Sequence, residues 1–238
     1  MIKIKKINKS FKTFDGKHHI LKDISLEIKE SSVTVIAGEN GAGKSVLMSI
    51  ITGLEKADSG NIECNGKCGF VFQEAETQIL GETPEEDVTF GPKNLKWPEN
   101  KIKKSVEEAL KKSGLYEKKD YPARFLSGGE KRRLAIACML AMDLEIIILD
   151  EPYANLDYNG IKQVNQLLKE LKQDKKTIII LTHELEKCLA LADSMIVLYK
   201  GEKVFDGTPH NGLKENLEKW NIRNPLVSYK KVSDLIWQ

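Results

Sequence analysis

The octet GENGAGKS, which starts at Gly38, constrains the fold of this chain more than any other stretch. It lies between the apolar run VTVIA (33–37) and the run VLMSIITGL (46–54), which is typical of a helix. Glycines let such a loop curl around an anion with its N–H groups pointing inward, and the following helix adds its positive dipole end. The pattern predicts a polyphosphate site in which Lys44 reaches the β- and γ-phosphates and the Ser45 hydroxyl binds Mg²⁺. A glycine-rich turn that matches by chance is the alternative.

Length and composition indicate an ordinary globular protein. The chain has 238 residues, of which 41% are hydrophobic and 30% are charged, enough for a sizeable core in one domain. The net charge of +2, from 37 basic and 35 acidic residues, gives no argument for a nucleic-acid partner. No apolar run approaches the ~20 residues that cross a bilayer, and the first ten residues alternate like a strand rather than a signal peptide. We therefore expect a cytoplasmic protein.

Cysteines and two neighbouring histidines are expected to play no chemical role. Cys64 and Cys68 have no second pair or histidine cluster that would complete a zinc site, and the other cysteines, Cys138 and Cys188, stand in unrelated settings. Small packing groups with reduced thiols are the default for such residues. His18 and His19 follow Lys17 in a polar stretch, which favours a solvated loop.

Hydrophobic patterning predicts an α/β fold with a mostly parallel sheet and an antiparallel β lobe. Residues 2–8 and 23–28 alternate between apolar and polar, as strands with one wet face do. Continuous apolar runs, typical of parallel strands covered on both faces, occupy 33–37, 145–149 and 177–181. Helical periodicity is present in 44–54, 101–113, 129–142, 158–173 and 184–192. The segments SMIVLYK and EKVFDG, joined at Lys200–Gly201, predict a hairpin.

The stretch between 74 and 125 differs in character from the rest of the chain. It is first acidic and rich in turn residues, and then basic with a helical period, which predicts an inserted and mostly helical sub-lobe. We expect one domain over 1–238. Its antiparallel lobe and phosphate-loop core take about 1–73 and 143–205, its helical sub-lobe about 74–142, and a C-terminal tail about 206–238.

Acidic and polar residues follow the predicted core strands. Asp150 and Glu151 end the buried run IIILDEP, the edge where α/β proteins bind ligands. Asp150 suits Mg²⁺, directly or through water, and Glu151 suits a general base that polarises a water against the γ-phosphate. His183 follows IIILT, and Gln73 ends GFVF, where its amide can touch the metal or the water. An Asp-Glu pair that merely ends a strand is the alternative, and the phosphate loop makes it the weaker one.

A second glycine pair begins another predicted helix in LSGGEKRRLAIACMLA. Ser127, Gly128 and Gly129 offer a hydroxyl, backbone N–H groups and a helix dipole to an anion. One nucleotide has no obvious use for two such loops in one domain. A second copy of the chain supplying one of them in trans resolves the difficulty.

In their order along the chain, the octet, Gln73, LSGGE, IIILDEP, ANLD and His183 resemble the nucleotide-binding subunits of ATP-binding cassette transporters. The resemblance implies a P-loop NTPase core, and two such domains stacked head to tail around two ATP molecules. It places Gly38, Asn40, Gly41, Gly43, Lys44, Ser45 and Val46 on the phosphates, with His183 on the γ-phosphate. It also puts Ser127, Gly128 and Gly129 on the partner's ATP, Asp157 at the dimer interface and Phe14 on the adenine, with Phe11 as a rival for that last role. Val46 replaces a threonine that usually touches a phosphate.

A finer resemblance lies in GFVFQEAETQILGETPEEDVTFGPKNL and AMDLEIIILDEP, which are similar to ATPases of energy-coupling factor importers. It implies uptake of a vitamin or transition-metal ion, powered by an ATPase pair, identical or paralogous, on the inner face of the cell membrane. The implied partners are a membrane coupling protein and a substrate-binding membrane subunit, with no nucleic acid. A soluble cassette ATPase without a membrane partner and the ATPase of another ABC transporter class stay open as alternatives. The DNA-repair branch is opposed by the lack of heptads between 45 and 126.

Overall fold

Two β-sheets form the framework of the chain in a computed structural model, which describes residues 1–14, 16–227 and 231. Their strands are β1 (Ile2–Thr13), β2 (Gly16–Ile28), β3 (Val33–Ala37), β4 (Ser59–Cys64), β5 (Cys68–Val71), β6 (Ile146–Asp150), β7 (Thr177–Thr182), β8 (Ser194–Tyr199) and β9 (Glu202–Gly207). Within these described ranges, one antiparallel sheet has the order β2-β1-β4 and the other sheet has the order β5-β6-β7-β3-β8-β9. The second sheet is parallel except at its β8–β9 edge, so the predicted α/β fold is confirmed.

Helices cover both faces of the parallel sheet and form a lobe of their own. The helices are α1 (Lys44–Ile51), α2 (Pro84–Asn94), α3 (Glu99–Lys112), α4 (Gly128–Ala141), α5 (Tyr158–Gln173) and α6 (Pro209–Gly212). Alternate residues of β3 point to opposite cores: Val35 packs with α5, and Ile36 packs with α1 and the antiparallel sheet. This two-sided burial explains the unbroken apolar runs of the core strands. Helices α2, α3 and α4 surround a third apolar core that contains Val88, Leu110 and Leu134.

Two local predictions were wrong. His18 and His19 lie in β2 rather than in a loop, because β1 and β2 continue as a paired ribbon well beyond their apolar alternation. Segment 184–192 forms two 3-10 turns, Leu185–Lys187 and Leu189–Leu191, instead of one helix. Their hydrogen bonds join residues three apart, since Leu185, Cys188 and Leu189 must all reach the core before β8 begins.

One helix was not predicted, although its start signal is present in the sequence. Thr83 caps α2 by accepting a hydrogen bond from the Glu86 N–H at 3.3 Å, and Pro84 occupies the first helical position. A threonine followed by proline and two glutamates is a strong helix start. The many acidic and turn-forming residues of the segment hid the apolar spacing by which a helix is predicted.

The C-terminal tail packs onto the core as far as the structure describes it. Strand β9 coincides with the predicted segment EKVFDG and ends at Gly207, two residues past the core boundary expected at about 205; α6 and a 3-10 turn at Leu217–Trp220 follow. Trp220 and Ile222 join the same apolar core as α5. The tail residues 228–230 and 232–238 lie outside the described residues.

Candidate nucleotide-binding site

The phosphate loop joins β3 to α1, as predicted, and its glycines are required by close packing. A Cβ atom on Gly38 would lie 2.4 Å from the carbonyl oxygen of Leu198, and one on Gly43 would lie 2.7 Å from Leu21 Cδ2. Gly43 also has a left-handed backbone, with φ of +99°. No side chain caps the first turn of α1 and no acid lies in it, so its N–H groups suit an anion.

Lys44 is held inside the loop by backbone oxygens. Its Nζ donates to the carbonyl of Gly38 at 2.7 Å and to that of Glu39 at 3.1 Å, and it lies 3.8 Å from Glu151 Oε1. Burial lowers the pKa of this ammonium group, and the negative charges of Glu151 and Asp150 oppose the shift. The loop thus fixes a buried cation at the position where the sequence predicts the β- and γ-phosphates.

Asp150 is the last residue of β6 and is buried beside the phosphate loop. Burial raises the pKa of its carboxyl group, and a hydrogen bond from Ser45 opposes that shift. The Ser45 hydroxyl and the Asp150 carboxylate therefore stand together, as expected for two oxygen donors to one cation.

Glu151 is anchored through its side chain by the end of the neighbouring strand β7. The Thr182 hydroxyl donates to Glu151 Oε2 at 3.0 Å, and His183 Nδ1 lies 2.9 Å from Oε1. Glu151 is buried, with 5% of its surface exposed, whereas about half of the His183 side chain is exposed. The pair expected at the γ-phosphate is thus in direct contact.

A pocket of about 330 Å³ collects most of the predicted phosphate and metal residues. It is lined by Ile20, Asn40, Gly41, Gly43, Lys44, Ser45, Val46, Gln73, Asp150 and Glu151. Gln73 lies two residues beyond the end of β5 rather than ending the strand, and it is exposed. Ile20 and Thr182 were not predicted, although a hydroxyl at a core-strand end is a signal that points to Thr182. Phe14 is not among the lining residues; it is fully exposed in the turn between β1 and β2.

The second glycine pair lines a different pocket. That pocket is lined by Ser127, Gly128, Gly129, Glu130, Arg133, Asn155, Leu156, Asp157, Asn159, Gly160 and Gln163. Ser127 and Glu130 cap the start of α4 reciprocally, and Asp157 caps α5 by accepting from the Gly160 N–H at 2.7 Å. The two pockets share no lining residue. A nucleotide on the phosphate loop is therefore served by a separate part of the chain from one on the LSGGE segment.

The donor set of the phosphate pocket fits magnesium and a triphosphate. Mg²⁺ prefers oxygen ligands and takes them from a few protein groups and the phosphates. Ser45 and Asp150 would hold it, which suits this ion better than the nearby group of Glu151, His183 and Glu184, whose ligand atoms lie within 4.8 Å of one another. The glycine loop, the buried Lys44 and the uncapped helix start are matched to phosphate oxygens.

Comparisons with known proteins agree with this geometry. The family model described as ABC transporter matches residues 21–154. The energy-coupling factor transporter ATP-binding protein EcfA1 of Mycoplasma mobile is 38% identical over 243 residues, covering 95% of this chain and 88% of its own. Its counterpart EcfA3 of Clostridium perfringens is 36% identical, covering 96% and 86%.

Solved structures extend the similarity to three dimensions. CbiO1 from Clostridium perfringens, part of the ABC transporter complex CbiONQ, superposes with a TM-score of 0.81 at 36% identity, covering 94% of this chain and 95% of its own. The dimeric cassette MJ0796 bound to ADP and Pi gives a TM-score of 0.79 at 30% identity, covering 88% and 99%. This chain belongs to the ATP-binding cassette family of transporter ATPases, within the energy-coupling factor group.

Proposed function

We propose that this chain is the ATP-hydrolysing subunit of an energy-coupling factor importer, which powers uptake of a vitamin or transition-metal ion through a separate membrane complex. The observation that carries the proposal is the anchored carboxylate of Glu151 beside the buried Lys44 of the phosphate loop. The similarity to energy-coupling factor ATPases over nearly the whole chain supports the transport role. The soluble alternative has no such specific support.

Hydrolysis follows from the roles that the pocket residues can take. Glu151 accepts a proton from a water that attacks the γ-phosphate, the bond to the β-phosphate oxygen breaks, and ADP and phosphate form. Thr182 and His183 hold the two carboxylate oxygens in place, while Lys44 offsets charge on the phosphates. Mg²⁺, when bound to Ser45 and Asp150, neutralises phosphate charge. Gln73, at the rim of the pocket, would contact the metal or the attacking water.

Two copies, or this chain and a paralogue, stack head to tail in the proposed working unit. The separate pockets of the phosphate loop and of the LSGGE segment support this arrangement, because each would complete the other across the interface. Dimeric MJ0796 is a precedent among similar structures. Phe14, at the exposed tip of the hairpin, then offers its ring to the adenine.

The membrane coupling protein is proposed to dock at a groove of about 620 Å³ in the helical sub-lobe. The groove lies between the segment after Gln73 and the segment before Ser127, and it is lined by Glu76, Ile79, Gly81, Glu82, Thr83, Pro122, Ala123, Arg124 and Lys131. Glu74 and Glu76 are exposed and are candidate contacts for basic helices of the partner, which would compete with Lys131 for its ion pair with Glu76. Gln78 is not a free contact, because its amide binds Phe72 N–H and the Phe70 carbonyl at 2.8 and 2.9 Å.

Such a docked subunit works at the inner face of the membrane without entering it. None of the helices in the described part of the chain is long and apolar enough to cross a bilayer. The transported solute is then selected by a different polypeptide, the substrate-binding membrane subunit.

Affinity purification with the hydrophobic proteins encoded beside this chain tests the proposal. A tagged chain is expected to bring a membrane coupling protein through detergent extraction, and the complex in liposomes should take up solute only with ATP. Glu74→Lys with Glu76→Lys should abolish capture and uptake while ATP hydrolysis by the isolated protein stays within about 3-fold, since the acids act only through the interface. Glu108→Lys on α3, outside the groove, is the matched control. Uptake by the Glu74, Glu76 double variant at the parent rate would place the docking surface elsewhere.

A further inference from the structure

A buried arginine in the second turn of α4 donates two hydrogen bonds to the backbone of the loop that carries Gln73. Arg132 Nη1 donates to the carbonyl of Phe72 and Nη2 to the carbonyl of Gln73, both at 2.7 Å. Only 4% of Arg132 is exposed. The guanidinium fork therefore fixes two successive peptide groups at once, which a single point charge does not do.

Burying the charged guanidinium of Arg132 costs folding free energy. Burial lowers the pKa of Arg132, and the charge of Asp150 offsets the shift only in part. The Nε atom is buried without a hydrogen-bond partner among the described residues. Because apolar residues often replace buried charges without loss of stability, a contribution to stability is a weak explanation of the fork.

These hydrogen bonds connect two pockets that bind different nucleotides in the proposed dimer. Gln73 lines the pocket of the chain's own phosphate loop. Arg132 lies on the same helix as Ser127, Gly128 and Gly129, which line the pocket that would face the partner's nucleotide. A displacement of the Gln73 loop would therefore also displace helix α4, which carries the residues of the other site.

We propose that Arg132 is a positioning residue that couples the two ATP sites, transmitting the state of Gln73 in one site to the LSGGE segment in the other. This inference rests on the proposed head-to-tail arrangement for its biological meaning, but the link itself lies within one chain. A coupling of this kind is a free energy shared by two sites, typically worth about 5–150-fold in an equilibrium constant.

Neighbouring contacts provide a control for the link. Lys131, the preceding residue, forms an ion pair with Glu76 at 2.9 Å, with about two thirds of the glutamate exposed. Exposed pairs contribute little. Lys131→Met therefore removes a charge next to Arg132 and a second contact to the same segment while leaving the guanidinium fork intact.

Hydrogen exchange on the isolated chain tests the link directly. Mg²⁺ and a non-hydrolysable ATP analogue are added to protein shown to be monomeric by light scattering in the same buffer. In the parent, exchange should slow in the phosphate loop, 38–46, and also in the first turns of α4, 127–134, by about 5-fold or more. Arg132→Met should keep the first effect and lose the second, and Lys131→Met should keep both.

Each outcome decides the proposal. The coupling is overturned if exchange at 127–134 slows equally in the parent and in Arg132→Met. It is also overturned if exchange in the parent slows at 38–46 but not at 127–134. In both cases the nucleotide site itself stands. Absence of slowing at 38–46 would overturn the nucleotide site and the coupling with it. If Arg132→Met does not fold, Arg132→Lys takes its place, because an ammonium group keeps the charge but lacks the planar fork.

A functional readout separates positioning from simple structural damage. Compared with the parent dimer, the Arg132→Met dimer should have a kcat lower by about 5-fold or more, the lower end of typical coupling. The ATP affinity of the Arg132→Met monomer should stay within about 3-fold of the parent value. A structural lesion would instead weaken ATP binding and lower the thermal midpoint together. An unchanged kcat would contradict the proposal.

Discussion

Glu151 combines a strained backbone with a fully anchored side chain. Its φ of +43° lies in the left-handed region, which costs a residue with a Cβ about 1–2 kcal/mol. Its N–H donates to the Leu181 carbonyl at 2.9 Å, and its carbonyl accepts from the Ala154 N–H at 3.1 Å. With Thr182 and His183 on the carboxylate, the conformation is over-determined, so the carboxylate stays aimed beside Lys44.

Glu151→Gln is expected to abolish turnover while leaving nucleotide binding intact. The amide keeps the size of the carboxylate and can still bind Thr182, but it accepts no proton from water. Loss of a positioned base should lower kcat by about 10²–10⁴-fold. Phosphate release and the affinity for a fluorescent ATP analogue measure the two effects. Glu145→Gln, one residue before β6 begins, is the control, and a Glu151→Gln protein with the parent rate would disprove the role.

Asp150→Asn should separate stability from activity. Because burial raises the pKa of Asp150 in the folded protein, its charged form is penalised by folding at pH 7, and stability increases as the pH falls through that raised pKa. Asparagine removes the penalty and its pH dependence. Without nucleotide and metal, the thermal midpoint at pH 7 should rise by about 2–4 °C per kcal/mol gained, while Mg²⁺-dependent hydrolysis is lost. A lower midpoint in calorimetry would contradict the desolvation argument.

Among the elements, those buried on both sides could be predicted from the sequence and those fixed by tertiary contacts could not. The core strands β3, β6 and β7 have unbroken apolar runs, and the phosphate loop has a fixed pattern of glycines. The 3-10 turns after His183 follow helical spacing in the sequence but bend to fill the core. Arg132 shows no sequence signal at all, because its partners are backbone carbonyls about sixty positions earlier.

The start of α4 depends on a reciprocal cap that holds the LSGGE segment in shape. Glu130 Oε2 accepts from the Ser127 N–H at 2.9 Å, and its Oε1 accepts from Lys118 at 2.6 Å. Glu130→Ala should lose about 0.5–2 kcal/mol of stability, which thermal denaturation measures. Glu117→Ala, an exposed acid nearby, is expected to change little. An unchanged midpoint for Glu130→Ala would mean that the cap is not needed to hold the helix.

At the scale of the whole molecule, one chain carries two glycine-containing helix starts that line separate pockets. Helix α1 follows the phosphate loop and helix α4 follows Ser127. A symmetric head-to-tail pair would therefore contain two composite sites, each with Lys44 from one copy and Ser127 from the other. An assembly in which each chain completes its own site predicts different behaviour when defective copies are mixed.

Mixing Lys44→Ala protein with Ser127→Arg protein distinguishes these assemblies. Each variant alone should be inactive, because Lys44→Ala removes the phosphate cation and Ser127→Arg fills the second pocket. In a head-to-tail heterodimer, one site carries both lesions and the other carries neither. Random pairing of equal amounts should then restore at most about one quarter of the parent hydrolysis rate, because half of the dimers contain one intact site and coupling between the sites lowers the rate further. If each chain completed its own site, mixing would restore nothing.

The matched control pairs Lys44→Ala with Glu151→Gln, two lesions that belong to the same half of a composite site. Every site in that mixture contains one defective phosphate-loop half, so hydrolysis should stay at background in either assembly. Crosslinking in the presence of ATP checks that heterodimers form in both mixtures. Full activity of the Ser127→Arg protein alone would exclude the head-to-tail model. The model would also be excluded if heterodimers of Lys44→Ala and Ser127→Arg form but neither hydrolyse ATP nor retain it at one site.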